Sequence, residues 1–189
     1  MTEISTLQTI KRWLWREQEY SISDADVFAH LYDQSHLTVF RYVYGLSGGP
    51  QQDVEDITAE TFTRAWVTRH RFTGNEQAAL GWLLQIARNL VIDSSRRNKA
   101  RAVDENVNIE SLLDVSALPE ADVVTREQAE ILWNLLISLT EDTREMLVLR
   151  YLLGWQVKQI ASHLDMTENN VSVRIRRALN SLQRNWPQS

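Results

Sequence analysis

QVKQIASHLDMTENNVSVRIRRALNSL, residues 156 to 182, holds two helical patterns back to back. Val157, Ile160, Ala161 and Leu164 recur at the spacing of one short helix, and Val171, Ile175, Ala178, Leu179 and Leu182 at that of a second. Only Asp165, Met166 and Thr167 separate them, so the two helices must cross steeply. A steep crossing needs a small residue at the contact, which Ala161 supplies, and an apolar plug, which Val171 supplies. Asp165 stands at the tight turn, where Asp tolerates a left-handed backbone better than most residues. Thr167 is a natural N-cap for the second helix. These features describe a helix-turn-helix. In that geometry Thr167, Glu168, Asn169, Asn170, Ser172 and Arg176 lie toward base edges or nearby phosphates, and Arg174, Arg177 and Arg184 suit the phosphate backbone.

Helical spacing extends through most of the chain. Val27, Leu31, Phe40, Val43 and Tyr44 form one pattern, stopping at Gly45 and again at Ser47, Gly48, Gly49 and Pro50. A second helix is expected from near Asp53, turning Val54, Ile57, Thr61, Phe62, Ala65 and Trp66 inward. A third is expected from about Gln77 to Lys99, with Leu80, Leu83, Leu84, Ile86, Ala87, Leu90, Val91 and Ile92 as its apolar positions. Residues Arg101 to Asp122 show no sustained period and hold Pro119, which reads as a linker. Beyond it, Ile131, Leu132, Leu135, Leu136 and Leu139 form a stripe. Thr140, Glu141 and Asp142 then open a helix bearing Met146, Leu147, Leu149, Leu152 and Leu153, which Gly154 ends. No segment shows the alternation of a strand, so an all-α chain of two small domains is expected. Their expected bounds are 24–101 and 123–189, with a linker over 102–122 and a helical extension over 1–23, where Ile4, Leu7, Ile10 and Leu14 share a face.

Composition narrows the chemistry. The 189 residues are 43% hydrophobic and 24% charged, as in globular proteins, and no apolar run approaches the roughly 20 residues that span a bilayer. Met1 to Ser21 lacks the apolar core of a secretory signal, so a cytoplasmic location is expected. There is no cysteine, which excludes disulfides, thiolate metal sites and cysteine nucleophiles. Net charge is -5, yet it is segregated. Arg88, Arg96, Arg97, Lys99 and Arg101 form one basic stretch and Arg174, Arg176, Arg177 and Arg184 another. Asp104, Glu105, Glu110, Asp114, Glu120 and Asp122 lie between. One basic run is as easily a solvated helix face, but two, each in a helical unit, favour nucleic acid. The acidic connector would then mimic nucleic acid or shield the basic faces.

An enzyme is disfavoured. Asp53, Glu55, Asp56 and Glu60 are the nearest thing to a cation-binding cluster. No Gly-rich phosphate loop is present, and His30, His36, His70 and His163 are scattered. No catalytic residue, metal, cofactor or small-molecule substrate is expected.

From Asp24 to Trp186 the sequence resembles the extracytoplasmic-function (ECF) sigma factors. DVEDITAETFTRAW, residues 53 to 66, looks like the family's helix for binding core RNA polymerase, with Asp56, Glu60, Phe62 and Trp66 matching and Asp53 a further implied contact. Ala59 stands where a Gln is usual. FTGNEQAALGWLLQIARNLVIDSSRR, residues 72 to 97, resembles the region that reads and opens the -10 element. The resemblance implies a pocket for a flipped base at Phe72, Ile86 and Asn89, a loop from His70 to Gln77, Asn75 included, that tunes its identity, and Arg96, Arg97 and Lys99 on the displaced strand. An extruded base does need an aromatic wall and a polar partner for its edge.

Residues 138 to 179 resemble the -35 duplex-binding domain, with Thr140 for a usual Pro, Gln159 for a usual Glu, and Ser172 and Val173 where a basic residue and Ser are common. The partners implied are core RNA polymerase, promoter DNA and an anti-sigma factor. The alternative is a free-standing helix-turn-helix regulator that acts without polymerase.

Overall fold

A computed structural model describes residues 21–98 and 126–187, the side chains at 77, 97, 98, 126, 127, 129 and 130 excepted. The expected N-terminal helix, the whole of the acidic linker, and Lys99 and Arg101 fall outside these residues. Every described element is a helix or helical turn. Helices α1 (Ala25–Ser47), α2 (Gln51–Thr68) and α3 (Glu76–Asn98) pack on one another as the first domain. Helices α4 (Arg126–Ile137), α5 (Glu141–Leu147), α6 (Val157–His163) and α7 (Glu168–Asn185) form the second.

The stops in α1 differ from the sequence reading. Asp24 caps the helix start through Oδ1, which accepts from the N–H groups of Asp26 and Val27 at 2.8 and 3.2 Å. The helix then runs through Gly45 and ends at Gly48, whose φ of 79° lets its N–H return to the Tyr44 carbonyl. Gly45 serves close packing instead of termination. A Cβ built there would lie 2.9 Å from Cγ2 of Val148 in the second domain. At Gly48 a Cβ would fall 1.8 Å from the Trp133 ring. Among the described side chains of α4, Trp133 is the buried one, while Leu132, expected in the apolar stripe, is 40% exposed. Trp66, expected to point inward, is 38% exposed at the end of α2.

Helix α5 also ends early. It widens into a π-type turn over Val148–Leu152 before Gly154, at φ 70°, redirects the chain toward α6. The turn keeps Val148 and Leu149 buried and seats Val148 and Leu152 over Gly45.

The core runs from the first domain into the second. Val43, Val54, Leu83, Leu84 and Ala87 are sealed in one, and Met146, Leu149, Ile160 and Val171 in the other, within one cluster of buried residues. A charged group lies where the two domains meet. Glu145 is 1% exposed and accepts from the Tyr42 hydroxyl and from Arg88 Nε, both at 2.6 Å. Arg88 Nη2 also donates to Asp142 at 2.7 Å, and Arg144 Nη1 donates to the Leu46 carbonyl at 2.9 Å. The Arg144 cation thus sits at the negative end of the α1 dipole, although burial pulls its pKa below the ordinary arginine value.

Burial opposes the charge on Glu145, but the side chains of His163, Tyr42 and Arg88 turned on it outweigh that opposition. They hold its carboxyl below the ordinary 4.5. Burial, with the Glu145 charge beside it, raises Tyr42 well above the usual 10.0 and keeps the phenol a donor.

This packing is open to measurement at two residues. Gly48→Ala combines a strained left-handed alanine with displacement of Trp133, and is expected to destabilise the chain by about 2 kcal/mol or more in thermal or urea unfolding. A stability within about 0.5 kcal/mol of the parent would mean that Trp133 has other room. Glu145 is the second. A carboxyl depressed in the folded chain stabilises it above the unfolded value of 4.5, and that contribution is lost as pH falls through the depressed value. Glu145→Gln should flatten the fall in Tm on acidification below pH 4.5, and an unaltered profile would deny Glu145 this role.

Candidate nucleic-acid interface

The helix-turn-helix closes as its sequence pattern requires. Ala161 and Val171 are buried at the crossing, 4% and 0% exposed, beside Ile160, Ile175 and Ala178. Asp165 takes the turn at φ 52°, and Met166 N–H donates to the Ala161 carbonyl at 2.8 Å. Thr167 Oγ1 accepts from Asn170 N–H at 3.3 Å, starting α7. Gln159 Oε1 accepts from the Gln156 N–H at 2.8 Å, so the residue that replaces a usual Glu helps cap α6.

One face of α7 remains exposed, with Glu168, Asn169, Asn170, Ser172, Arg176 and Arg177 on the surface and Arg174 half-buried. Its N-terminal turn, residues 168 to 170, is open to solvent. Arg184 Nε donates to the Asn180 carbonyl at 3.2 Å and lies farther along the same helix.

In the first domain, the rings of Phe72 and Trp82 meet at a centroid distance of 5.2 Å, tilted 42° to one another. Gly74 permits the tight loop around them, since a Cβ there would come within 2.9 Å of the Phe72 ring. Asn75 Oδ1 accepts from Ala78 N–H at 2.9 Å, which ties this loop residue to the start of α3. A cleft of about 370 Å³ opens beside the ring pair, lined by Arg71, Phe72, Thr73, Ala78, Gly81, Trp82, Gln85 and His163. Ile86 is half-buried and Asn89 exposed one turn further along α3. Neither lines the cleft, though Trp82, Ile86 and Asn89 follow one another on a helix face. Arg96 is exposed near the end of α3. Arg97 lies on that helix, but its side chain falls outside the described residues, as Lys99 does altogether.

Arg71 and Thr73 belong to the loop that the sequence reading assigned to this region, but that reading missed Trp82 and Gln85 in the cleft. Trp82 is legible as an aromatic ten residues beyond Phe72, but His163 belongs to the other domain and had no local signal.

The acidic face of α2 presents Asp56 and Glu60 to solvent and half-buries Asp53. Glu60 and Arg64 form an exposed i,i+4 pair at 2.7 Å, which contributes little to stability. Phe62 is turned into the core at 5% exposure. Its ring supports Tyr32, 42% exposed, edge-on at 4.7 Å. Trp66 is flanked by Phe28 at 5.1 Å and carries the Arg69 guanidinium 3.6 Å over its ring. The resulting surface places two acids beside exposed aromatic rings. Tyr32 is a part of it that the α2 motif did not reveal.

Comparison with known proteins follows the same division. Residues 31–101 match the model for Sigma-70 region 2, and residues 129–182 that for Sigma-70, region 4. The ECF RNA polymerase sigma-E factor of Salmonella typhimurium is 32% identical over 148 residues, 74% of each chain. This chain belongs to the ECF sigma factors. The sigma factor is also 32% identical over 164 residues to BldN of Streptomyces coelicolor, covering 87% of this chain and 62% of BldN. SigL of Mycobacterium tuberculosis is 28% identical over 165 residues, which cover 85% of this sigma factor and 89% of SigL.

Two solved structures share the fold. RpoE of Bartonella quintana, solved with the anti-sigma factor NepR, gives a TM-score of 0.60 at 19% identity, covering 84% of this sigma factor and 95% of that chain. CnrH, solved with the cytosolic domain of CnrY, gives 0.57 at 21%, covering 85% and 87%. No described helix of this sigma factor is long and apolar enough to cross a membrane.

The exposed arginines of α7 give a measurable expectation. Replacing Arg176 or Arg177 with Ala should weaken duplex binding and reduce the dependence of log affinity on log salt by about 0.9 for each phosphate no longer neutralised. Unchanged affinity and slope would place that side chain away from DNA.

Proposed function

We propose that this chain directs core RNA polymerase to specific promoters. The first domain, over residues 24–101, binds core and opens the -10 element. The second, over residues 123–189, grips the -35 duplex. The observation that carries this reading is that one chain holds both Sigma-70 regions, each with a suitable exposed surface. Asp53, Asp56, Glu60 and Trp66 face the core enzyme, with Tyr32 beside them and Phe62 beneath. Phe72, Asn75, Ile86 and Asn89, joined by Trp82, receive the non-template strand, and Arg96, Arg97 and Lys99 hold its phosphates. Thr167, Glu168, Asn169, Asn170, Ser172, Arg174, Arg176 and Arg177 meet the -35 duplex.

The protein is a recognition subunit and not an enzyme, and its place of action is the cytoplasm. An anti-sigma factor is its regulatory partner, as NepR is the anti-sigma factor bound to RpoE in that relative's structure. A regulator working without polymerase has no use for region 2, so the match over residues 31–101 weighs against that alternative.

Mixing the purified chain with bacterial core polymerase tests the proposal. Co-migration and promoter-specific run-off transcripts are expected, and failure to associate would refute it. Asn89→Ala should reduce open-complex formation at least tenfold while leaving co-migration intact. Equal loss of both would deny Asn89 a separate role in opening the strand.

A further inference from the structure

Helix α7 is anchored in its domain by the buried side chains of Val171, Ile175 and Ala178. Val173 lies two residues from both Val171 and Ile175, which at 3.6 residues per turn is about 160° round the helix from each, on the side away from the core. From residue 156 onward, the half-buried apolar side chains packed on the core are Val157, Leu164, Met166 and Leu182, and Val173 stands apart from them. Leu179 is exposed, but it follows Ile175 by one turn and lies at the margin of the buried face. Among the described residues of α7, Val173 is thus the one apolar side chain at the centre of the outer face.

Its neighbours on that face are all polar and all exposed. Asn169 and Asn170 lie one turn before it, and Arg176 and Arg177 one turn after. Amides and guanidiniums pair with base edges in the major groove or hold the phosphates beside it. Valine can do neither. The helix gains nothing from it either, because a side chain branched at Cβ is a poorer helix former than alanine or the long polar residues.

We propose that Val173 reads the C5 methyl of a thymine in the duplex bound by α7. This inference rests on the function proposed above, and it gives Val173 a specificity-determining role among the polar residues placed there. Of the groups that base pairs present in the major groove, donors and acceptors need a polar partner, and the thymine methyl is the one that an apolar side chain matches. Pressed against a donor or acceptor, the Val173 methyls would strip its water and return no hydrogen bond. Against a methyl they remove apolar surface from water on both sides. Val173 therefore selects in two ways, for thymine and against a base whose polar edge it would desolvate.

Spacing limits where that thymine lies. Arg176 follows Val173 by three residues, about 4.5 Å along the helix axis, and successive base pairs are about 3.4 Å apart. A helix lying along the groove so brings Arg176 within about two base pairs of the thymine.

The test uses the full chain, alone and with core polymerase. Duplexes of about 20 base pairs, two helical turns, would be selected from a randomised pool and resynthesised with each thymine in turn replaced by deoxyuridine, which lacks only the methyl. Replacement at one thymine is expected to weaken binding about fourfold, the factor to which about 0.8 kcal/mol for one buried methyl group corresponds. Val173→Ser and Val173→Ala should bind the thymine and deoxyuridine duplexes alike at that position, with parental helix content. Arg176→Ala should relax base preference within about two base pairs of it.

Selected duplexes with no methyl-dependent thymine, or a dependence that survives in the Val173 variants, would overturn the assignment, as would failure to select any duplex. Should one variant lose its helices, the other decides alone. A chain that assembles with core and transcribes from specific promoters without methyl dependence would keep the sigma function and lose this role for Val173. Methyl dependence in a chain that never associates with core would keep the role and remove the sigma function.

Discussion

The buried carboxylate of Glu145 is the constraint on which this arrangement depends. A charge removed from water costs several kcal/mol unless neighbours compensate it, and here they come largely from the other domain. Tyr42 and Arg88 donate to it, and Asp142 holds the far side of the same guanidinium. Buried ion pairs are weak evidence for net stability but are demanding in geometry, and this one specifies how the domains meet.

The contact treats the surfaces of the two domains differently. The acids of α2, the Trp66 ring and the exposed face of α7 remain open to solvent, whereas Arg88 and the Phe72–Trp82 cleft are engaged by the second domain.

Much of the fold was legible because it rests on local chemistry. The apolar period, the Thr167 cap and the tolerance of Asp165 for a left-handed turn define the helix-turn-helix from neighbouring residues alone. The ECF resemblance located the acidic α2 face and the Phe72 loop in the same way. What escaped the sequence was set by distant residues. Gly45 reads as a helix stop, but its missing side chain serves Val148 more than a hundred positions away. Arg88 reads as one more cation in a basic run, and only the fold brings Glu145 to it. Trp66 follows the apolar period of α2 yet lies at its end, where Phe28 and Arg69 cover the ring only in part. The departures Gln159 and Thr140 both sit at helix starts. Gln159 caps α6 through its side chain, while Thr140 precedes α5 with its carbonyl accepting from Arg144 N–H at 2.9 Å and its hydroxyl meeting that of Thr143 at 2.8 Å.

The most direct test of the Glu145 contact is a double-mutant cycle in urea unfolding with Glu145→Gln, Arg88→Gln and the two combined. A coupling of about 1 kcal/mol or more between the two residues is predicted. Strictly additive losses would contradict it.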